Sequence, residues 1–210
     1  MSKHIAYELL KIKAVFLSPK NPFTWASGIK SPIYCDNRLT LSYPDSRKKI
    51  EKALAKLVKE TYPDVEMIIG TATAGIAHAA IIADYLNLPM GYVRSSKKDH
   101  GRQNNIEGKS PKGLNVVVIE DLISTAGSVI NVVLSLKEAG ANVLGIASLF
   151  TYELEKGFQC LNEHNLKNVS LSNFKELIEV ALEHNYINEL EANQCLEFQK
   201  NPMASDWMAL

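Results

Sequence analysis

Residues 116–128 read VVVIEDLISTAGS, and this segment restricts the fold of the chain more than any other. Its run of β-branched apolar residues predicts a strand that is buried on both faces, as strands of parallel sheets are. The carboxylates Glu120 and Asp121 follow, then the small-residue loop Ser124 to Ser128, and an apolar helical run begins at Val129. Backbone N–H groups of such a loop attract phosphate at the helix N-terminus, and the carboxylates can accept hydrogen bonds from sugar hydroxyls. The segment therefore predicts a site for a phosphorylated, polyhydroxylated ligand, although an ordinary strand-to-helix turn uses the same residue types.

Strands and helices alternate through the middle of the chain. Apolar periodicity predicts helices over residues 44–62, 76–86 and 129–139, and strands over residues 65–70, 90–94 and 143–150. Asp45 or Ser46 is expected to cap the first of these helices. Because such alternation gives a parallel sheet flanked by helices, the fold class is α/β. Ligands bind beyond the carboxyl ends of the strands in these sheets, so the loops at residues 71–75, 95–108 and 120–128 are expected to meet there.

We expect a single domain that spans the whole chain, with a core over about residues 44–152. Residues from about 16 to 40 carry several prolines and glycines between short apolar and aromatic pieces, which predicts a small β-rich flap. The tail from about 170 to 210 has the apolar spacing of helices. Flap and tail are both too short to fold as separate domains.

The charge balance argues against several classes of partner. Lys and Arg number 23, Asp and Glu also number 23, and the net charge is zero. Because a binder of nucleic acid or of membrane surfaces needs a basic excess, we expect neither partner. No apolar run approaches the ~20 residues of a membrane span, and the N-terminus lacks the apolar core of a signal peptide. The scattered Cys35, Cys160 and Cys195 show no zinc-binding spacing, so a reducing cytoplasm is the simplest location.

The segment between the second and third predicted strands is strongly polar. Residues 94–108 read RSSKKDHGRQNNIEG, and Ile106 is the only large aliphatic residue among them. A segment with so little surface to bury predicts a mobile loop, although most charge runs are plain solvated connections. This one leaves the ligand edge of the sheet and carries lysines and a histidine. Such a lid can exclude water, and its cations can stabilise a leaving group that gains negative charge.

The segment from Glu120 to Ser128 resembles the signature of the type I phosphoribosyltransferases, in which two acidic residues and a small-residue loop follow a hydrophobic strand. The resemblance implies a parallel sheet under a small N-terminal hood, which is the flap, and C-terminal helices. It implies the substrate phosphoribosyl pyrophosphate (PRPP), with Mg²⁺ as cofactor, held mainly by PRPP and with Asp121 and Glu120 nearby. Residues 70–77 would form the pyrophosphate loop. The implied PRPP-binding residues are Arg94, Lys98, His100, Glu120, Asp121, Leu122, Ile123, Ser124, Thr125, Ala126, Gly127 and Ser128.

The polar loop and the flap narrow the resemblance to one branch of that family. Arg94 followed by KDHG at residues 98–101, and the flap segment FTWASGIKSPIYCDNR, are similar to the orotate phosphoribosyltransferases. That likeness implies transfer of the phosphoribosyl group to orotate, which gives orotidine 5′-monophosphate and pyrophosphate. It also implies a homodimer whose lid loop reaches into the neighbouring subunit's site. The implied catalytic residues are Lys98, His100 and Asp121, and the implied orotate-binding residues are Ser124, Lys30 and Tyr34.

Several residues depart from the family pattern, among them Ser95 and Ala74, each of which stands where some members have a lysine. Ala126 stands where the family usually has glycine, and its methyl group is tolerated if its φ is negative. Ala26 replaces a lysine of some members and Tyr152 an arginine, which leaves open how the orotate carboxylate is bound. The alternative functions are transfer to uracil or a purine, and regulation by PRPP binding without catalysis. The cationic lid and the zero net charge argue against the regulator.

Overall fold

The computed structural model describes residues 2–25, 27–94 and 105–210. These residues form seven α-helices: α1 (Ser2–Lys11), α2 (Pro44–Thr61), α3 (Ala74–Leu86), α4 (Gly127–Glu138), α5 (Glu155–Glu163), α6 (Phe174–Glu183) and α7 (Glu189–Lys200). The same residues form ten strands: β1 (Val15–Leu17), β2 (Phe23–Thr24), β3 (Lys30–Ser31), β4 (Ile33–Cys35), β5 (Met67–Thr71), β6 (Met90–Val93), β7 (Ile106–Gly108), β8 (Asn115–Ile123), β9 (Asn142–Thr151) and β10 (Asn168–Asn173). Short 3₁₀-helices cover Asn37–Ser42 and Asp206–Ala209.

Six of the described strands form one central sheet. Its strand order is β10-β9-β8-β5-β6-β7, and every neighbouring pair is parallel except β6 with β7. The carboxyl ends of five strands therefore lie at one edge of the sheet. The α/β fold class predicted from the sequence is confirmed, with one antiparallel strand added at the rim.

Helices cover both faces of this sheet because its central strands are apolar on both sides. Along β8, Val117 and Ile119 pack in a core that includes residues of α1, α2 and α3. Val116 and Val118 point the other way, into a core that includes residues of α4. Successive strand residues face opposite sides, so an uninterrupted valine run supplies both cores at once.

The flap consists of two small antiparallel pairs, in agreement with its predicted β content. β1 pairs with β4 and places Phe16 opposite Tyr34, while β2 pairs with β3. The 3₁₀-helix that begins at Asn37 then leads into α2. The amide of Asp36 donates a 2.7 Å hydrogen bond to the carbonyl of Ala14, which closes the base of the flap.

The tail holds helices α6 and α7, as the apolar spacing predicts. Two elements before it, β10 and α5, were not expected from the sequence. β10 reads NVSLSN, in which Val169 and Leu171 alternate with polar residues, a short strand pattern that was missed. It forms as the edge strand because β9 offers it a pairing partner and α1 packs against it.

Three local expectations were wrong. Residues 95–108 were expected to form a loop, but residues 106–108 form β7, and residues 95–104 lie outside the described residues. Neither Asp45 nor Ser46 caps α2: Tyr43 is the cap residue, and Pro44 occupies the first turn, where its missing N–H costs nothing. Ser46 donates instead to Glu8 of α1, at 2.7 Å. β8 also does not end before the acidic pair but continues to Ile123, because β9 pairs with it that far. In the described part of the chain, no helix combines the length and apolarity that crossing a membrane requires.

Candidate active site

The two acidic residues lie near the end of the central strand β8. Glu120 is buried, at 6% exposure, and Asp121 is half-buried. The Asp121 amide donates to Glu120 Oε1 at 3.1 Å. Burial, and then the neighbouring Asp121 carboxylate, raise the pKa of Glu120 to about 8. The raised pKa favours the protonated form of Glu120 in the unliganded site, which reduces the repulsion between the two carboxyls.

The loop between β5 and α3 is packed directly against β8. Thr71 donates from Oγ1 to the carbonyl of Ile119 at 3.2 Å. A Cβ atom on Gly75 would lie 2.5 Å from the same carbonyl oxygen, so only glycine lets α3 begin this close to β8. The Ala72–Thr73 peptide bond between them is cis. The small residues that the sequence shows here are thus explained by close packing beside the acidic pair.

The loop between β8 and α4 turns at Ala126. This residue has φ 62° and ψ −4°, in the left-handed region. The condition under which a methyl group is easily tolerated, a negative φ, is not met: the backbone keeps the conformation that suits glycine, and alanine adopts it with strain. The methyl group is buried among apolar side chains that include Val129. Gly127 and Ser128, which open α4, remain exposed.

A cavity of about 270 Å³ joins these loops at the sheet edge. Of the residues predicted from the sequence, it brings together Arg94, Glu120, Asp121 and Ser128, opposite the loop 71–74. Arg94 contacts Glu107 through Nε at 3.1 Å. The cavity also has a polar wall that the sequence did not indicate, formed by Asn105, Asn131 and Ser135.

Other predicted residues lie elsewhere. Ile123 and Ser124 line a second cavity, of about 340 Å³, which α5 bounds on its far side. Thr125 is exposed and Leu122 half-buried. In the flap, Lys30 donates to Thr24 Oγ1 at 2.7 Å. Tyr34, also in the flap, is 42% exposed, and its ring centroid lies 5.6 Å from that of Phe23. The predicted lid residues Lys98 and His100 lie outside the described residues.

Comparison with known proteins identifies this arrangement. The sequence model of the phosphoribosyl transferase domain matches residues 41–182, which include the acidic pair and both loops. The orotate phosphoribosyltransferase of Listeria innocua is 58% identical over 202 residues, which are 96% of this chain and 97% of that protein. The chain belongs to the orotate phosphoribosyltransferase family.

Solved structures of this family share the fold. The orotate phosphoribosyltransferase of Aeropyrum pernix superposes with a TM-score of 0.76 at 28% identity, over 88% of this chain and 99% of that one. The UMP synthase of Leishmania donovani gives a TM-score of 0.81 at 25% identity. There the match covers 94% of this chain but 42% of the longer protein. The family resemblance drawn from the signature, the lid and the flap is thus confirmed.

One residue at the family's acidic pair was missed from the sequence. Asn37, fully buried, donates from Nδ2 to the carbonyl of Asp121 at 2.7 Å and so ties the end of the flap to β8. Its own Oδ1 is buried with no partner among the described residues. Asn37 stands in the polar run DNR, where nothing marks it as a buried residue. Only the folded arrangement of flap and sheet brings it to Asp121.

The acidic pair fits a magnesium ion that takes most of its ligands from elsewhere. Mg²⁺ prefers oxygen ligands and keeps several of its waters. Glu120 and Asp121 offer carboxylate oxygens beside the 270 Å³ cavity. No cluster of three or more His, Cys, Asp or Glu residues occurs among the described residues. The pair can therefore accept hydrogen bonds from water on a metal, while a bound substrate supplies the remaining oxygens.

Proposed function

We propose that this chain transfers the phosphoribosyl group of PRPP to orotate, giving orotidine 5′-monophosphate and pyrophosphate on the route to UMP. The observation that carries the proposal is the 270 Å³ cavity, which joins the acidic pair to Ser128, Arg94 and the loop 71–74. The bond from C1′ to the pyrophosphate oxygen breaks, and a bond from C1′ to the ring nitrogen N1 of orotate forms as N1 releases its proton to solvent. No nucleophile from the protein is needed. The residues have to hold PRPP, orient the base and stabilise the departing charge.

PRPP would lie along the cavity. Its 5-phosphate would bind at residues 124–128, where Thr125, Gly127 and Ser128 are exposed and the start of α4 attracts anions. Asp121 and Glu120 would contact the ribose hydroxyls. The pyrophosphate would bind at the loop 71–74 beside Arg94, where positive charge offsets the charge that develops on the leaving group. Lys98 and His100 would add cations from the lid, with Lys98 the main catalytic one.

Magnesium would bind mainly through the oxygens of PRPP, beside Asp121 and Glu120. It would supply charge neutralisation at the pyrophosphate. The raised pKa of Glu120 allows its protonated form to donate to a ribose oxygen, and a nearby Mg²⁺ would lower that pKa.

The base would lie between the flap and the sheet edge. Tyr34, exposed on β4, offers an aromatic face to a planar pyrimidine. Lys30 on β3 would attract the orotate carboxylate, and Ser124 would contact the base from the sheet side. The flap is tied to the acidic pair through Asn37, which supports this placement.

We further propose a homodimer in which each lid serves the neighbouring subunit's site, without nucleic acid or membrane partners. The zero net charge supports the absence of both. A cytoplasmic location agrees with the three cysteines, all of which are free thiols.

The choice of base can be tested directly. Pyrophosphate release is measured with PRPP and Mg²⁺ while orotate, uracil and hypoxanthine are compared as acceptors. Turnover with orotate at a kcat/KM far above that with the other bases is the expected result. Turnover with uracil or hypoxanthine and none with orotate would refute the proposal, and PRPP binding without any turnover would favour a regulator.

A further inference from the structure

The C-terminal wall, defined as α7 with the 3₁₀-helix Asp206–Ala209, joins a row of aromatic rings that begins in the flap. The Trp25 ring stacks on Tyr152, with centroids 5.4 Å apart and planes 18° apart. Phe198 of α7 meets Trp25 edge-on at 5.7 Å, and Trp207 packs on Phe198 at 5.6 Å. Phe198, Trp207 and Tyr152 are almost fully buried. Edge-to-face and offset contacts of this kind fix ring positions as well as burying area.

A polar contact reinforces the same junction. Gln199, next to Phe198, donates from Nε2 to the carbonyl of Tyr152 at 2.9 Å. Lys20 of the flap also approaches Glu191 of α7 at 3.3 Å, but Lys20 is 68% exposed, and such surface pairs add little. The aromatic row therefore connects the flap to α7 through Trp25, and the Gln199 contact holds α7 against Tyr152 at the end of β9.

Trp25 and Tyr152, the two residues that the C-terminal wall contacts, each donate a hydrogen bond to a strand beside the proposed base site. Trp25 donates from Nε1 to the carbonyl of Ile33 at 3.2 Å, one residue before Tyr34 on β4. The Tyr152 amide donates to the carbonyl of Ile123 at 2.9 Å, at the end of β8. Burial, and then the nearby Cys35 and Asp121 groups, raise the pKa of the Tyr152 phenol. Tyr152 thus lies between α7, β4 and the acidic pair.

We propose that the C-terminal wall sets the width of the base site and that Phe198 and Gln199 are positioning residues for orotate. They act through Trp25 and Tyr152, and neither needs to touch the substrate. The inference rests on the proposed function, because it takes orotate as the base. Since a planar acceptor must be held in line with C1′ of PRPP, a shift of the flap relative to β8 weakens orotate binding first. PRPP, bound by the loops of the sheet, is unaffected.

The test compares two conservative variants with wild type. Gln199→Met keeps the side-chain length and removes the N–H donor, and Phe198→Leu keeps an apolar group and removes the ring. Leu190→Ala, at an exposed position on the same helix, is the matched control. The KM for orotate is measured at saturating PRPP, the KM for PRPP at saturating orotate, and the Tm of each protein separately.

The inference predicts that each variant raises the KM for orotate about fivefold or more, as loss of one hydrogen bond or ring contact would. The KM for PRPP and kcat stay within about twofold, and Leu190→Ala matches wild type. If Phe198→Leu does not fold, Gln199→Met decides alone. If the Tm falls while the KM values for orotate and PRPP stay unchanged, the C-terminal wall only stabilises the fold, and the inference is overturned. Wild-type protein that fails to turn over orotate would instead refute the proposed function itself.

Discussion

At the scale of single residues, Ala126 adopts a left-handed backbone conformation that alanine does not favour. Its φ of 62° costs alanine about 1–2 kcal/mol. We predict that Ala126→Gly is less destabilising than Ala55→Gly by at least about 1 kcal/mol, because glycine relieves this strain but weakens the interior of α2. The two alanines are a matched pair, at 4% and 5% exposure. Equal losses of the free energy of unfolding in the two variants, measured by urea denaturation, would show that the loop is unstrained.

Glu120 gives the unliganded protein a distinctive pH dependence. The unfolded chain releases this proton near the ordinary pKa of 4.5, whereas the folded protein keeps it until about pH 8. Rising pH therefore favours the unfolded state across that interval, and the free energy of unfolding falls by up to a few kcal/mol. We predict that Glu120→Gln flattens this decline in chemical unfolding from pH 5 to 8, whereas the exposed Glu155→Gln keeps the wild-type profile. If the free energy of unfolding falls as steeply with pH in Glu120→Gln as in wild type, titratable groups other than Glu120 cause the decline.

The sequence was enough to predict the site residues that belong to a short motif or directly follow a predicted strand. The acidic pair lies near the end of one strand, Ser128 follows that strand and Arg94 follows another, so the rule for parallel sheets was enough to bring them together. Asn37 and the left-handed Ala126 could not be predicted in the same way. Their roles depend on what lies opposite them in space, the Asp121 carbonyl and the tight turn into α4.

At the scale of elements, α5 packs against the loop 124–128, the proposed binding site of the 5-phosphate. A Cβ atom on Gly157 would lie 2.5 Å from the carbonyl oxygen of Ser124, so the helix touches the loop backbone at this point. We predict that Gly157→Ala displaces the loop and raises the KM for PRPP about tenfold, since small displacements of a binding group are costly. Lys156→Ala, exposed on the same helix, serves as control. An unchanged KM for PRPP in Gly157→Ala would mean that α5 yields and the loop does not.

Elements were predictable where one residue pattern determines them. β5 and the first part of β8 are apolar throughout, and their helices carry apolar faces, so these elements were predicted, although β8 continues through the acidic pair to Ile123. β7 and β10 are short or polar strands at the two rims of the sheet, each paired on one side within the described sheet. Such strands form because a neighbour offers hydrogen bonds, and their own sequence carries little of that information.

At the scale of the whole molecule, the sharing of lids between subunits can be tested by mixing variants. We predict that Lys98→Ala and Asp121→Asn are each nearly inactive alone. Mixed and allowed to exchange subunits, they should regain about a quarter of wild-type activity, because each hybrid dimer holds one site with both residues intact. Separately assembled, unexchanged samples are the control. No recovery despite proven exchange would place each lid over its own subunit's site.

The central claim is that a phosphorylated ribose binds where the acidic pair meets the small-residue loop at the sheet edge. A crystal structure of the protein with PRPP and Mg²⁺ tests it most directly. We predict that the 5-phosphate accepts hydrogen bonds from backbone amides of residues 124–128 and that the ribose hydroxyls contact Asp121 or Glu120. A well-ordered PRPP molecule bound elsewhere, with this loop empty, would contradict the account.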